Sequence, residues 1–174
     1  MAHFVLSVVG SDRPGLTQAL AAAVLSAGGN WLESHLSRLG GLYVGSVLVD
    51  LAAEDVEGLR AAVGAVDAHG LQVRIAPALD VAAAPAEGEA LQFSLVGQDR
   101  PGIVNQVTAV LSGLGANIES FRTWISAEAH SGAPLFNMHA QLRLPPGLSV
   151  DRAQAALEAI SAEVMVDVSL APAA

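Results

Sequence analysis

Apolar and polar positions follow the same order twice along the chain, and each copy starts with an alternating stretch. In LQFSLVG, residues 91–97, every second residue is apolar, which is typical of a strand with one buried face. The stretch that begins the chain alternates in the same way, 87 positions earlier. The residues predicted to face inward are Phe4, Leu6, Val8, Leu91, Phe93 and Leu95.

A helix with one apolar face is predicted after each of these strands. The apolar spacing of four, three, one and three positions is the same in both copies. The positions are Leu16, Leu20, Ala23, Val24 and Ala27, and Ile103, Val107, Val110, Leu111 and Leu114. Gly28 and Gly115 stand where a helix is expected to stop. A later helix in each copy carries Val56, Leu59, Val63 and Val66, or Val150, Ala153, Leu157 and Ile160, with Ser149 as a candidate N-cap.

Strands are predicted around that later helix, at 31–38, 42–51 and 71–79, and at 118–127, 135–144 and 164–170. In LFNMHAQLRL the inward positions are Phe136, Met138, Ala140 and Leu142, and the outward ones are Asn137, His139, Gln141 and Arg143. The corresponding strand of the first copy is apolar on both faces, with Tyr43, Val47 and Val49 opposite Leu42, Val44 and Leu48. We expect another subunit or domain to cover part of its outer face, although a valine-rich strand can also stay uncovered.

The chain is therefore a tandem repeat, marked by GSDRPGL at 10–16 and GQDRPGI at 97–103. After Asn30 and Asn117 the match between NWLES and NIES slips by one position. We therefore expect an extra, bulged residue in the first copy. DVAAAPAEGEA, residues 80–90, lacks periodicity and is predicted to be a linker between domains 1–79 and 91–171. The order βαββαβ predicts an α+β protein of two ferredoxin-like domains, each an antiparallel four-stranded sheet with both helices on one face.

Composition and charge narrow the possible functions. The chain has no cysteine, which excludes disulfides and thiol chemistry, and its net charge of −9 disfavours direct contact with nucleic acid. No apolar run is long enough to cross a membrane, and the N-terminal stretch lacks a basic start and a cleavage site. We therefore expect a cytoplasmic protein without a membrane partner. Each unit is near the lower size limit for independent stability, which favours packing of the two units on each other. The strand edges that each sheet leaves open favour a homodimer.

The repeated Asp-Arg-Pro-Gly stretch predicts a helix start that can bind an anion. Proline suits the first turn, and glycine bends the backbone and leaves amides uncovered, near which a carboxylate could bind. Asp12 and Asp99 can accept from those amides, so one alternative is that they only cap the helix. Asn30 and Asn117 each open the next strand and offer a donor and an acceptor, which suits an amino acid near an adjoining unit's loop. A turn or left-handed role after the glycine is the alternative for both asparagines.

These features together resemble tandem ACT domains, which are small ligand-sensing modules of amino-acid metabolism. Two βαββαβ units, each with DRPG and with G-x-N before the second strand, span nearly the whole chain, and a free-standing pair is most similar to the glycine cleavage system transcriptional repressor family. The resemblance implies regulation by contact with a transcriptional activator, with glycine as co-repressor and no cofactor. The ligand positions it implies are Asp12, Gly15, Asn30, Asp99, Gly102 and Asn117. The longer loop EAHSGAP in the second copy implies that the two sites need not be equivalent.

Other functions fit the sequence less well. The five histidines, His3, His35, His69, His130 and His139, show no metal-binding spacing, and no nucleotide or nucleophile motif is present, so we expect no enzyme. DRPG also occurs in formyltetrahydrofolate deformylases, which need a catalytic domain besides the ACT part. An RNA-binding sheet would need exposed aromatic residues and a basic surface. A ligand-free scaffold of tandem ACT domains remains an open alternative.

Overall fold

A computed structural model describes residues 2–67, 70–79, 87–128, 131–164 and 166–172. The chain forms two compact units, Met1–Ala82 and Ala83–Ala174. Most of the predicted linker lies outside the described residues, as do His69 and His130. The boundaries of the linker therefore stay a prediction.

Each unit follows the predicted order of strands and helices. The first contains β1 (Ala2–Ser11), α1 (Leu16–Ser26), β2 (Asn30–Leu39), β3 (Leu42–Leu51), α2 (Val56–Asp67) and β4 (Leu71–Pro77), with a 3₁₀ turn at Ala53–Asp55 before α2. The second contains β5 (Ala90–Gln98), α3 (Ile103–Gly113), β6 (Asn117–Ala127), β7 (Pro134–Arg143), α4 (Val150–Val164) and β8 (Val166–Pro172).

The strands of each unit form one antiparallel sheet, in the order β2-β3-β1-β4 or β6-β7-β5-β8. One face packs on both helices. In the first unit Leu6 and Val47 of the sheet share a buried cluster with Leu20 and Leu59 of the helices. Burial of each such side chain contributes about 1.5–3 kcal/mol. The predicted fold class, two ferredoxin-like α+β units, is confirmed.

The helix ends are also as predicted. Gly28 has a φ of 75° and donates to the Leu25 carbonyl, while the next amide, of Gly29, donates to the Val24 carbonyl. Gly115, at a φ of 70°, donates to the Ser112 carbonyl, and the next amide, of Ala116, donates to the Leu111 carbonyl. These bonds define a Schellman motif, which satisfies the last carbonyls of the helix. Ser149 Oγ accepts the Arg152 amide at 3.4 Å, consistent with its predicted capping of α4.

The expected extra residue in the first copy is wrong. The register of β2 on β3 shifts between Trp31 and Glu33, and that of β6 on β7 shifts between Ile118 and Ser120. Both copies therefore contain the same bulge, and the offset of 87 positions continues through it. The slip inferred from matching letters arose because Leu32 and Glu119, the bulged residues, have unlike side chains.

The outer sheet faces differ between the units. In the first unit Leu42, Leu39 and Val9 are 44%, 69% and 40% exposed on that face, so β3 is apolar on both sides as predicted. In the second unit the inward residues Phe136, Met138, Ala140 and Leu142 are buried, and His139 and Gln141 face outward and are exposed. The outward Asn137 is nevertheless only 8% exposed.

Candidate functional site

The two repeated loops have the same backbone conformation. Gly15 precedes α1 with φ 91° and ψ −6°, and Gly102 precedes α3 with φ 91° and ψ −5°. Both are left-handed N-cap residues, a conformation in which glycine avoids the penalty that a Cβ would carry. This explains why the loop ends in glycine in both copies.

Neither aspartate caps its helix, which corrects the expectation for Asp12 and Asp99. No side chain makes an N-cap hydrogen bond at α1 or α3. The Asp12 carboxylate instead pairs with Arg38 Nε at 3.2 Å. Asp99 uses its backbone amide to donate to the Pro134 carbonyl at 3.3 Å. Because the glycine, three residues later, is the N-cap, each aspartate lies too early in the chain to reach the first-turn amides.

The uncapped helix starts are open to an approaching ligand. A Cβ built at Gly15 or Gly102 would meet no atom within 4 Å. The first-turn amides of an α-helix have no partner inside the helix, and the helix dipole adds a partial positive charge there. Each loop is therefore able to receive the oxygen atoms of a carboxylate.

The side chains around the two loops differ. In the first unit Thr17 Oγ1 and Tyr43 Oη are hydrogen-bonded at 2.6 Å, which ties the start of α1 to β3. At the offset of 87 positions Thr17 corresponds to Val104, so the second unit cannot form this bond. There Arg100 donates to Gln106 Oε1 at 2.8 Å, and its Nε is buried without a hydrogen-bond partner. Arg100 corresponds to Arg13 of the first loop, so both loops carry an arginine and it is the bonds around the helix start that differ.

Asn30 and Asn117 are the first residues of the edge strands β2 and β6. Both are exposed, and neither makes a side-chain hydrogen bond with another described residue. The left-handed role belongs to Gly28 and Gly115, so that alternative for the asparagines is wrong. Their side chains are free to contact a ligand or another chain.

The structure does not bring an asparagine and a loop of the same unit together. Asn30 lies opposite Asp50, whereas Arg38, which contacts the loop through Asp12, lies eight residues further along β2. At a rise of about 3.3 Å per residue this separation is about 25 Å. One unit by itself therefore cannot present both groups to one small ligand.

The surroundings of the two asparagines differ in charge. Asn30 is the cross-strand neighbour of Asp50, whose Oδ1 is buried and has no hydrogen-bond partner in the described residues. Asn117 is the neighbour of Arg143, whose guanidinium holds Glu119 through bonds of 2.5 and 3.2 Å. The first position suits an ammonium group because Asp50 is negatively charged and no ion pair of the described residues neutralises it, whereas the second position is neutralised by the Arg143–Glu119 pair.

Asp50 and Arg38 were missed as site residues. Neither residue belongs to the repeated motif, so nothing in the sequence singled them out. The register of β2 on β3 could have identified them, since it places Asp50 beside Asn30 and Arg38 close to the end of β1.

The described residues contain no group of three side chains that could hold a metal ion. None of their helices combines the length and apolar character needed to cross a membrane.

The comparisons with known proteins agree with this geometry. The ACT domain family model matches residues 2–76. A protein of unknown function from Galdieria sulphuraria is 31% identical, with a TM-score of 0.86 and 99% of each chain covered. A protein provisionally named glycine cleavage system transcriptional repressor has a TM-score of 0.69 at 16% identity, with 98% of this chain and 96% of that chain covered, and so shares the fold. No curated protein matches in sequence.

The two units are ferredoxin-like α+β domains whose first helices each begin at a left-handed glycine. The chain belongs to the ACT-domain family.

Proposed function

We propose that this ACT-domain protein is an amino-acid sensor that regulates a partner protein by direct contact. The observation that carries the proposal is the pair of uncapped, glycine-opened helix starts at Gly15 and Gly102, which have the same backbone angles. A small zwitterion suits such a loop because its carboxylate can accept from several backbone amides at once.

The ammonium group of the ligand needs acceptors, and the first unit offers them. Asn30 supplies a carbonyl oxygen, and Asp50, its cross-strand neighbour, adds a negative charge that no ion pair of the described residues neutralises. In the second unit Asn117 offers the same amide beside a neutralised pair, so we propose that it binds more weakly. Glycine is the first ligand to try, since the provisionally named repressor of the same fold is connected with glycine cleavage.

Asn30 lies on an edge strand whose outer backbone groups are unpaired, and such edges tend to pair with another chain. We propose that a second copy of this chain brings its loop to this edge, so that the ligand bridges two copies. A ligand of this kind shifts the assembly only by its difference in affinity between the two states. The state that it favours would expose or cover a surface for a regulatory protein such as a transcriptional activator. The net charge of −9 favours this route over direct contact with DNA.

The test is thermal unfolding of the full chain against a panel of amino acids, with glycine and serine included. Binding to the native state raises stability by about 2.7 kcal/mol at one hundred times Kd. Asn30→Ala should abolish most of the shift, and Asn117→Ala should reduce it less, because only Asn30 has Asp50 beside it. Gln154→Ala, which removes a side-chain amide from α4 outside both loops and both edge strands, is the matched control.

Sedimentation with and without the active amino acid then measures whether binding changes the oligomeric state. If no amino acid shifts the unfolding midpoint, the chain is a scaffold built from ACT domains and sensing is excluded. If Asn30→Ala lowers stability without ligand but leaves the shift intact, the asparagine is structural and the assigned site is wrong.

A further inference from the structure

The outer face of the second sheet carries a polar cleft that the proposed amino-acid site does not use. It lies over β5, β6 and β7 and has a volume of about 280 Å³. Six polar side chains line it, and none of the lining residues is acidic. They are Gln92, Ser94, Ser120, Arg122, His139 and Gln141.

The strand register explains why these side chains converge. Gln141 is paired with Gln92 on one side and Ser120 on the other, and His139 is paired with Ser94 and Arg122. Side chains directly opposite each other on neighbouring strands have Cβ atoms about 5 Å apart. The cleft is therefore made of two adjacent rows of three polar side chains, each row crossing the same three strands.

Arg122 is held in place by aromatic contacts and not by a carboxylate. Its guanidinium carbon lies 5.3 Å from the centroid of the Trp124 ring, and that ring meets His139 edge to face at 4.9 Å. Beneath them, Asn137 donates to the Trp124 carbonyl and to Ser126 Oγ, which fixes this part of β6 on β7. A guanidinium stacked on an aromatic face keeps its N–H groups available for a planar anion.

The positive charge of Arg122 is not matched by a carboxylate within its cleft. Arg38, Arg60 and Arg143 each pair with a carboxylate, whereas no ion pair of the described residues involves Arg122 or the other four arginines. Arg122 is the arginine that lines this cleft, and an uncompensated positive charge among neutral hydrogen-bond donors favours binding of an anion there.

The corresponding cleft of the first unit has different chemistry. It lies over the equivalent strands, but Val5 and Leu48 stand in place of the two glutamines, and Glu33 stands in place of Ser120. Glu33 is paired with His35, which occupies the position of Arg122. The donors of the second cleft are therefore not a consequence of the fold, since the same fold without them carries a carboxylate there.

We propose that the cleft of the second unit binds a small oxyanion, either a carboxylate or a phosphate. Arg122 is the anchor, donating two N–H groups to two oxygen atoms of the anion. The amide groups of Gln92 and Gln141 and the serine hydroxyls supply the remaining donors. None of these side chains belongs to the proposed amino-acid site, although Ser120 and Arg122 lie on β6, the edge strand that begins with Asn117.

The experiment is a titration of the ¹⁵N-labelled full chain with inorganic phosphate and, separately, with acetate. Chloride at matched ionic strength controls for general charge effects. The side-chain amides of Gln92 and Gln141 and the indole of Trp124 are the reporters, and the indole of Trp31 in the first unit is the internal control. We expect a saturable shift of the three reporters with phosphate or acetate. Tighter binding of phosphate would indicate that the natural ligand is a phosphate, and tighter binding of acetate would indicate a carboxylate.

Arg122→Gln should raise Kd at least about tenfold, because a charge-assisted bidentate pair is lost. Arg152→Gln removes the same charge from the exposed side of α4 and should leave Kd unchanged. Gln141→Leu, which introduces the residue of the first unit, should weaken binding severalfold and serves if Arg122→Gln does not fold. The proposal is overturned if chloride gives the same shifts, if neither anion saturates, if Arg122→Gln and Gln141→Leu both fold and bind like the parent, or if the shifts centre on Gly15 and Gly102.

Discussion

The two repeated loops differ in their side chains far more than in their backbone. Gly15 and Gly102 share a φ of 91°, and their ψ angles differ by one degree. Around the first loop Asp12 pairs with Arg38, whereas no ion pair of the described residues involves Asp99. A repeated motif can thus preserve a backbone device while the chemistry around it diverges, so the presence of DRPG in both copies does not make the two sites equal.

The cores of the two units show the same divergence. Gly45 of β3 lies between Val8 and Leu36, and Met138 of β7 lies between Leu95 and Thr123. These are equivalent places in the sheet. Met138 is fully buried, whereas Gly45 allows β2 and β3 to approach each other closely. The same fold therefore accommodates a glycine in one unit and a buried methionine in the other at equivalent positions.

Gly45→Ala is expected to have the largest effect of the substitutions that probe this difference. A Cβ there would lie 1.9 Å from the His35 carbonyl oxygen, and the φ of 153° already disfavours a side chain. Because backbone atoms must move, we expect a loss of about 3 kcal/mol or more in the first unit. Denaturant unfolding followed by Trp31 fluorescence, with Trp124→Phe in the background, measures it.

Gly64→Ala is the matched control, since its Cβ would meet nothing within 4 Å inside α2. It should raise stability by about 0.5–1 kcal/mol. Equal unfolding midpoints for Gly45→Ala and the parent would show that the two strands do not approach each other as closely as described.

Met138→Ala should destabilise only the second unit. The methionine has no exposed surface, so its truncation leaves a cavity, and we expect a loss of about 2–4 kcal/mol. Unfolding followed by Trp124 fluorescence, in a Trp31→Phe background, reports on this unit. Met138→Leu, which keeps the volume, should cost less than about 1.5 kcal/mol. In the reciprocal Trp124→Phe background, a drop of the same size in the Trp31 transition would show that the two units unfold together and would contradict an effect confined to the second unit.

The sequence predicted most of the fold, because the fold depends on periodic burial. Alternation gave the inward faces of β5 and β7, and the helix spacing gave the buried faces of α1 and α3. Gly28 and Gly115 were correctly placed at the helix ends because a left-handed residue is required there. The bulge was misassigned, since a bulge is a property of pairing between strands, and Leu32 and Glu119 carry no local sign of it.

The candidate site was predicted less completely. The motif predicted a helix start in each copy with Pro14 or Pro101 in the first turn, whereas both prolines precede the N-caps Gly15 and Gly102. The roles of Asp12 and Asp99 were misassigned for the same reason, because the motif alone does not show which residue is the N-cap. Asp50 was missed because its importance arises from the strand register that places it beside Asn30. Ligand binding at the six predicted positions remains a prediction, to be tested with the asparagine variants.

The smallest expected effects concern the ion pairs, and they test whether the first loop is free to bind. Arg143 and Glu119 are 24% and 31% exposed and form two hydrogen bonds, so a double-mutant cycle should give a coupling of about 1 kcal/mol. Arg38 and Asp12 are 72% and 37% exposed, so their coupling should be below about 0.5 kcal/mol and should fall as salt screens it. Chemical denaturation at low and high salt measures both cycles. A weak Asp12–Arg38 pair would leave Arg38 able to turn toward a bound carboxylate. If this coupling instead exceeds that of Glu119 and Arg143, the first loop is locked by its own ion pair, and the second unit becomes the better candidate for the ligand.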